Sequence, residues 1–205
     1  MQLRDALDQI SLIREQIART QTFRGYRWAS TAFSGLVAVG AAGAQLWLVP
    51  EPALHLAHYL AVWLVAAIVS VVAVGIEMAI RVRRTTQPLQ RELSFAAVEQ
   101  FIPCIVAGAL LTYVIMQSAT DFAFSLPGLW MILFGLGIFA SRRLLSRPIV
   151  FVAAYYLLAG LVVMSMRRGA QFSPWVMGSG FGLGQLFAAG VLYWTLERGR
   201  DGVVE

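Results

Sequence analysis

Six stretches of the chain run almost without charge, at about 28–49, 58–80, 98–117, 124–141, 148–166 and 174–196. A helix rises 1.5 Å per residue, so roughly 20 apolar residues cross the hydrocarbon of a bilayer. Nothing else in the sequence constrains the fold as strongly. A chain with 59% hydrophobic and 13% charged residues has too little polar surface to cover a soluble globule of its size, since ordinary soluble domains carry about 25% charged residues. The bilayer is its natural solvent. The expected fold is all-α: a polytopic membrane protein with six transmembrane helices. Residues 1–22 form an amphipathic helix, 23–198 the membrane domain and 199–205 a tail.

Arginine sets the orientation. All 16 basic residues are Arg. If the amino terminus is cytoplasmic, only Arg167 and Arg168 fall on the far side. So strong a bias follows the positive-inside rule and puts both termini in the cytoplasm. The net charge of +5 is then a matter of topology and does not call for nucleic acid. No cleaved secretory signal is expected, because the charged first 20 residues lack an apolar core and a small-residue cleavage site. A bacterial inner membrane, crossed several times, is the expected location.

The first helix carries Leu3, Leu7, Ile10, Ile13 and Ile17 on one face, with Arg4, Asp5, Asp8, Arg14, Glu15 and Arg19 on the other. Its acids and bases cancel, whereas helices drawn to anionic lipid are normally basic. The apolar stripe is therefore expected to meet protein. The chain's own bundle, a second copy of the chain and a separate cytoplasmic partner are the three occupants of that interface.

The last span opens "WVMGSGFGLGQLFAAG", with glycine at 178, 180, 182, 184 and 190. A phosphate-binding loop needs glycines between a strand and a helix, so that backbone N–H groups point at the anion. This run has neither flank and has GxGxGxG spacing. The helical reading fits. Gly178 and Gly182 form one small-xxx-small step and Gly180 and Gly184 another, and such steps let a neighbouring backbone approach. The two steps lie on faces about 200° apart. One face is expected to meet the bundle and the other a different helix or a second protomer. Gly178, Gly180, Gly182, Gly184 and Gln185 are thus candidate packing residues. A helix broken for ligand binding, as in transporters, is the rival reading. Glycines in the first span (Gly35, Gly40, Gly43) and the fourth (Gly135, Gly137) make related surfaces.

Ionisable groups deep in the bilayer usually mark transport or proton pathways. Here Glu77 and Glu99 lie near span ends, and the deeper polar groups are Thr112, Ser165 and Gln185. His55 and His58 form H-x-x-H in the first turn between spans. Zinc generally takes three or four protein ligands, and only Glu51 or Asp121 is available to complete a set, so interfacial polar residues are the favoured reading. Cys104 sits in an apolar run and forms no internal disulfide. Trp28, Trp47, Trp130, Trp175 and Trp194 fall near span ends, as in an aromatic belt. No catalytic set, cofactor or metal is expected.

"IPCIVAGALLTYVI", "SLPGLWMILFGLGIFAS" and "GSGFGLGQLFAAGVLYWTLERG" resemble an uncharacterised family of bacterial multi-span membrane proteins, associated with acidobacteria and similar groups. The likeness covers roughly 100–200 well and 1–25 loosely. Members of that family often carry His where this chain has Gln185, so the resemblance implies a position without its titratable group here. They are often encoded beside winged-helix regulators, which implies a sensing or signalling partner. A non-enzymatic subunit, scaffold or sensor with a cytoplasmic protein partner is the leading expectation. A small transporter or channel for a neutral or lipid-like solute is the alternative.

Overall fold

The computed structural model describes residues 28–84, 88–143 and 148–197. All regular structure among them is helical: α1 (Trp28–Leu48), α2 (Leu56–Arg84), α3 (Pro88–Ser118), α4 (Leu126–Ala140), α5 (Ile149–Ser165) and α6 (Pro174–Leu192). Short 3-10 turns cover Thr120–Ser125, Ser141–Arg143 and Ala170–Phe172, and a π-helical turn at Tyr193–Glu197 continues α6. The expected amphipathic helix 1–22, with Leu3, Leu7, Ile10, Ile13 and Ile17, lies outside the described residues.

Five helical stretches are long and apolar enough to cross a membrane: Trp28–Leu48, Leu56–Ile80, Val98–Ser118, Thr120–Ala140 and Pro174–Thr195. The sixth, α5, is apolar but has only 17 residues, or about 25 Å at the helical rise. The chain is an all-α integral membrane protein that crosses its membrane several times.

Two boundaries differ from the sequence expectation. The helices run past the second and third apolar stretches, at about 58–80 and 98–117: α2 continues to Arg84 and α3 begins at Pro88. Polarity limits how far the hydrocarbon extends and does not by itself end a helix. Proline is also well suited to the first helical position, where its missing N–H costs no bond. The fourth span is composite: Thr120–Ser125 supplies a 3-10 entry and α4 adds 15 residues.

Each helix packs against its neighbours in sequence, and α6 returns to α1, closing a ring. The connecting turns alternate between two ends. One is rich in arginine in the sequence; the other, holding the α1–α2, α3–α4 and α5–α6 turns, is arginine-poor. Two antiparallel pairs are packed most tightly, α1 with α6 and α4 with α5. In the second, glycine faces glycine: a Cβ built on Gly128 would lie 2.7 Å from the Gly160 carbonyl oxygen, and one on Gly160 2.7 Å from that of Gly128. One pair of turns further on, a Cβ on Gly135 would lie 3.0 Å from the Ala153 oxygen. The backbones are as close as they can come.

The outer helices are different. Among the described side chains of α2, only Tyr59, Leu60 and Trp63 are buried, all toward the arginine-poor end. Ile115 is the one buried residue among those described on α3, again toward that end. From Leu64 to Ile80 no side chain is buried. α2 and α3 touch each other little, and most of their described side chains are exposed, as befits helices that face lipid.

Gly160→Val is expected to destabilise the bundle by about 1–3 kcal/mol, the usual cost of overpacking. Gly43→Ala is expected to be neutral or slightly stabilising, because nothing lies within 4 Å of its added Cβ. Thermal unfolding in mild detergent, followed by helical circular dichroism, separates the two.

Candidate functional site: the glycine face of α6 and the polar node at the arginine-poor end

α6 runs as one continuous α-helix through all its glycines, from Pro174 to Leu192. It is neither a loop nor a broken helix. Proline occupies its first turn, and the next residues present Gly178, Gly180, Gly182 and Gly184, all buried.

The glycines meet different neighbours on the two faces. A Cβ on Gly178 would lie 2.6 Å from Ala42 Cβ, and one on Gly182 would lie 2.9 Å from Val39 Cγ2. Both belong to α1. From the α1 side, a Cβ on Gly35 would lie 3.1 Å from the Gly182 carbonyl oxygen and 3.2 Å from Gln185 Cβ. On the other face, Gly180 abuts the Met131 thioether of α4, and Gly184 abuts the phenol of Tyr156 on α5. Both faces are filled by this chain's own helices, which leaves none of the four glycines for a second protomer.

The second face explains why α6 needs to be bare there. Tyr155 Oη donates to the carbonyl oxygens of Gly180 at 3.1 Å and Ser179 at 3.3 Å, and Tyr156 Oη donates to Phe181 O at 3.4 Å. A helical carbonyl already accepts from the N–H four residues on, and its second lone pair is usually shielded by the side chain above it. Glycine at 184 removes that shield, and the Tyr156 phenol occupies the space. Tyr156 also approaches the side chain of Gln185. The seam is therefore hydrogen-bonded as well as close-packed. Around it, rings at Phe101, Phe134, Tyr156 and Phe181 touch edge-on or tilted at 4.8–5.7 Å and join α3, α4, α5 and α6.

A second constellation lies at the arginine-poor end. Gln45 on α1 is fully buried. Its Nε2 donates to the Phe172 carbonyl oxygen at 2.8 Å, and its Oε1 accepts from Trp63 Nε1 at 2.8 Å. One amide thus ties α1 to α2 and to the α5–α6 turn. Tyr59 packs its ring against Phe172, with centroids 5.0 Å apart. Gln171, also fully buried, closes its own turn by donating to Met166 O at 2.8 Å. Gly169 shapes that turn with φ +93°, a backbone conformation that side chains with a Cβ rarely adopt. The Tyr59 hydroxyl and Gln171 Oε1 are buried without a hydrogen-bond partner.

Several expected positions sit elsewhere. Ser165 closes the end of α5, exposed, with its hydroxyl on Val162 O at 2.7 Å; it is not a deep group. Thr112 does bridge helices: its Oγ1 accepts from Trp130 Nε1 at 2.9 Å and donates to Gly108 O at 2.7 Å. Trp130 is thus a packing residue between α3 and α4 rather than a belt residue. His55 and His58 are exposed and meet ring to ring, centroids 5.9 Å apart. Among the described residues no three His, Cys, Asp or Glu side chains converge. Gln45, Gln171, Tyr155 and Tyr156 were passed over in the sequence. Gln45 and the Tyr155–Tyr156 pair did carry a signal, being polar atoms inside apolar runs.

Comparison with protein families, with curated proteins and with solved structures returned no match.

Gly184→Ala is expected to cost about 1–3 kcal/mol of stability by displacing the Tyr156 phenol. Tyr156→Phe in the same chain is expected to recover part of that loss, since the hydroxyl goes while the ring remains. A double-mutant cycle on detergent unfolding reads the coupling. Strict additivity would show that Gly184 does not make room for the hydroxyl. Gly190→Ala, with nothing within 4 Å of its Cβ, is the neutral control. Gln45→Leu is expected to cost about 1–3 kcal/mol, because Trp63 Nε1 and the Phe172 carbonyl are left buried without partners.

Proposed function

We propose that this protein is a non-enzymatic component of a bacterial inner membrane, a subunit, scaffold or sensor that works through helix packing and a cytoplasmic protein partner. One observation carries the reading. Both glycine faces of α6 are filled by the chain's own helices, and Gln45, Trp63, Trp130 and Tyr155 bind neighbouring backbone or one another. The interior is organised to hold a shape. Recognition then belongs to surfaces outside the hydrocarbon. The arginine bias of the turns supports a cytoplasmic arginine-rich end. The neutral amphipathic segment 1–22, with Leu3, Leu7, Ile10, Ile13 and Ile17, supplies an apolar stripe for a protein at that end. The family resemblance, with its regulator neighbours, points to the same kind of partner.

A second reading, passage of a neutral or lipid-like solute, is favoured by the slight contact between α2 and α3. A lateral opening between two helices suits an apolar molecule that arrives from the bilayer.

Two measurements test the leading reading. In a Cys104→Ala background, Thr86→Cys is expected to react with an impermeant maleimide only in inside-out vesicles, and Thr120→Cys only from outside intact cells. The reverse pattern overturns the orientation. Deleting residues 1–22 is expected to abolish co-purification of the partner from native membranes while leaving the melting temperature of the bundle intact. Unchanged co-purification overturns that interface.

A further inference from the structure

The arginine-poor end holds an open hollow of about 330 Å³ between its three turns. All three turns of that end line it, with Leu56 from the start of α2, Asp121 and Phe124 from the second turn, and Arg168, Gly169 and Phe172 from the third. Its volume falls in the range of small-molecule sites, about 300–1,000 Å³. Its wall is largely apolar, with Leu56, Phe124 and Phe172, and carries one carboxylate and one guanidinium, Asp121 and Arg168.

The two charges stand on different turns and form no ion pair with each other. Arg168 is held instead with its guanidinium carbon 4.8 Å from the centroid of the Phe124 ring. That cation–π contact fixes where the positive charge stands. The turn behind it is also fixed, by the positive φ of Gly169 and by the Gln45 bond to the Phe172 carbonyl. A purely anionic guest would leave Asp121 opposed to it, and a cation would leave Arg168 opposed. A guest with both signs satisfies both side chains and adds no net charge.

The depth of the cavity bears on the source of such a guest. Trp47, at the end of α1, and Trp175, at the start of α6, are 88% and 61% exposed and lie at the same end. Exposed tryptophans at helix ends mark the headgroup level of a bilayer. The cavity therefore opens where lipid headgroups and external solutes both pass.

We propose that this cavity binds a zwitterion with a primary ammonium and an oxyanion, the anion on Arg168 and the ammonium on Asp121, its apolar part against Leu56 and Phe124. The ethanolamine phosphate head of a phospholipid and a free amino acid share that chemistry.

The test uses the full chain, delipidated in mild detergent. Native mass spectrometry measures retention of phosphatidylethanolamine, phosphatidylcholine and phosphatidylglycerol offered at equal concentration. Thermal shift measures the response to phosphoethanolamine and to L-leucine. Arg168→Gln and Asp121→Asn change exposed side chains, and their unliganded melting temperatures verify folding. Preferential retention of phosphatidylethanolamine, lowered about fivefold by either substitution, is expected, since an exposed charge contact contributes up to about 1 kcal/mol. If the three lipids are retained equally but L-leucine stabilises the native chain and neither variant, a free amino acid is the guest and the proposal stands. Binding that depends on Arg168 but not on Asp121 means a simple anion site and overturns it. Binding in neither arm that depends on both residues also overturns it.

Discussion

Lipid chains are as apolar as leucine, so burying leucine between helices in a bilayer gains little over leaving it in lipid. What holds these helices together must come from close approach and from hydrogen bonds. The approach of α6 to its neighbours meets both needs. Gly178 and Gly182 let α1 lie against one face, and Gly180 and Gly184 let Met131 and Tyr156 enter the other. A bulky residue at Gly178, Gly182 or Gly184 would push away a helix that itself carries another, whereas at Gly180 it meets the flexible end of Met131. α1 carries α2 through Gln45 and Trp63, and α5 carries α4 through Gly160 and Gly128.

The hydrogen bonds follow the same logic. In hydrocarbon a polar side chain must find a partner inside the protein, and helical carbonyls offer a spare lone pair wherever the surface is bare. Tyr155 and Tyr156 use the carbonyls that glycine uncovers on α6, and Gln45 uses the Phe172 carbonyl where the chain leaves helical structure. Trp130 and Thr112 join α3 to α4 in the same manner. Such bonds average about 0.6 kcal/mol in membrane proteins. Their effect here is to fix register rather than to supply bulk stability. The buried residues of α2 lie toward the arginine-poor end, where Gln45 and Trp63 sit. Toward the other end α2 simply faces lipid.

The architecture was legible because hydrocarbon thickness imposes a length on apolar runs. Trp28–Leu48 matches its run almost residue for residue. The ends of α2 and α3 were not legible, because a helix can leave the bilayer and continue through arginines in water. The period of the α6 glycines divided them between two faces, but spacing within one helix does not tell which other helices lie there. The polar node was missed for a related reason. Gln45 sits near the end of its run, where an amide reads as interfacial, and its partners are 18 and 127 residues away. Only the ring of helices brings them together. Trp130 looked like a belt residue on position alone, yet its indole nitrogen had a threonine within reach on the adjacent helix.

The same turn serves the packing and the candidate cavity. Phe172 lines the hollow, meets Tyr59 edge to face and gives its carbonyl to Gln45. Two residues later Pro174 starts α6. The position of that turn therefore sets both the shape of the cavity and the entry of the helix whose glycine faces organise the bundle. Among the described residues, α2 is buried toward the arginine-poor end, whereas α1, α4, α5 and α6 carry buried residues toward both ends. The outer α2 is therefore tied to that inner group chiefly where Trp63 meets Gln45, and Gln45 in turn holds the Phe172 carbonyl. The amide that anchors α2 thus also anchors the turn that lines the hollow.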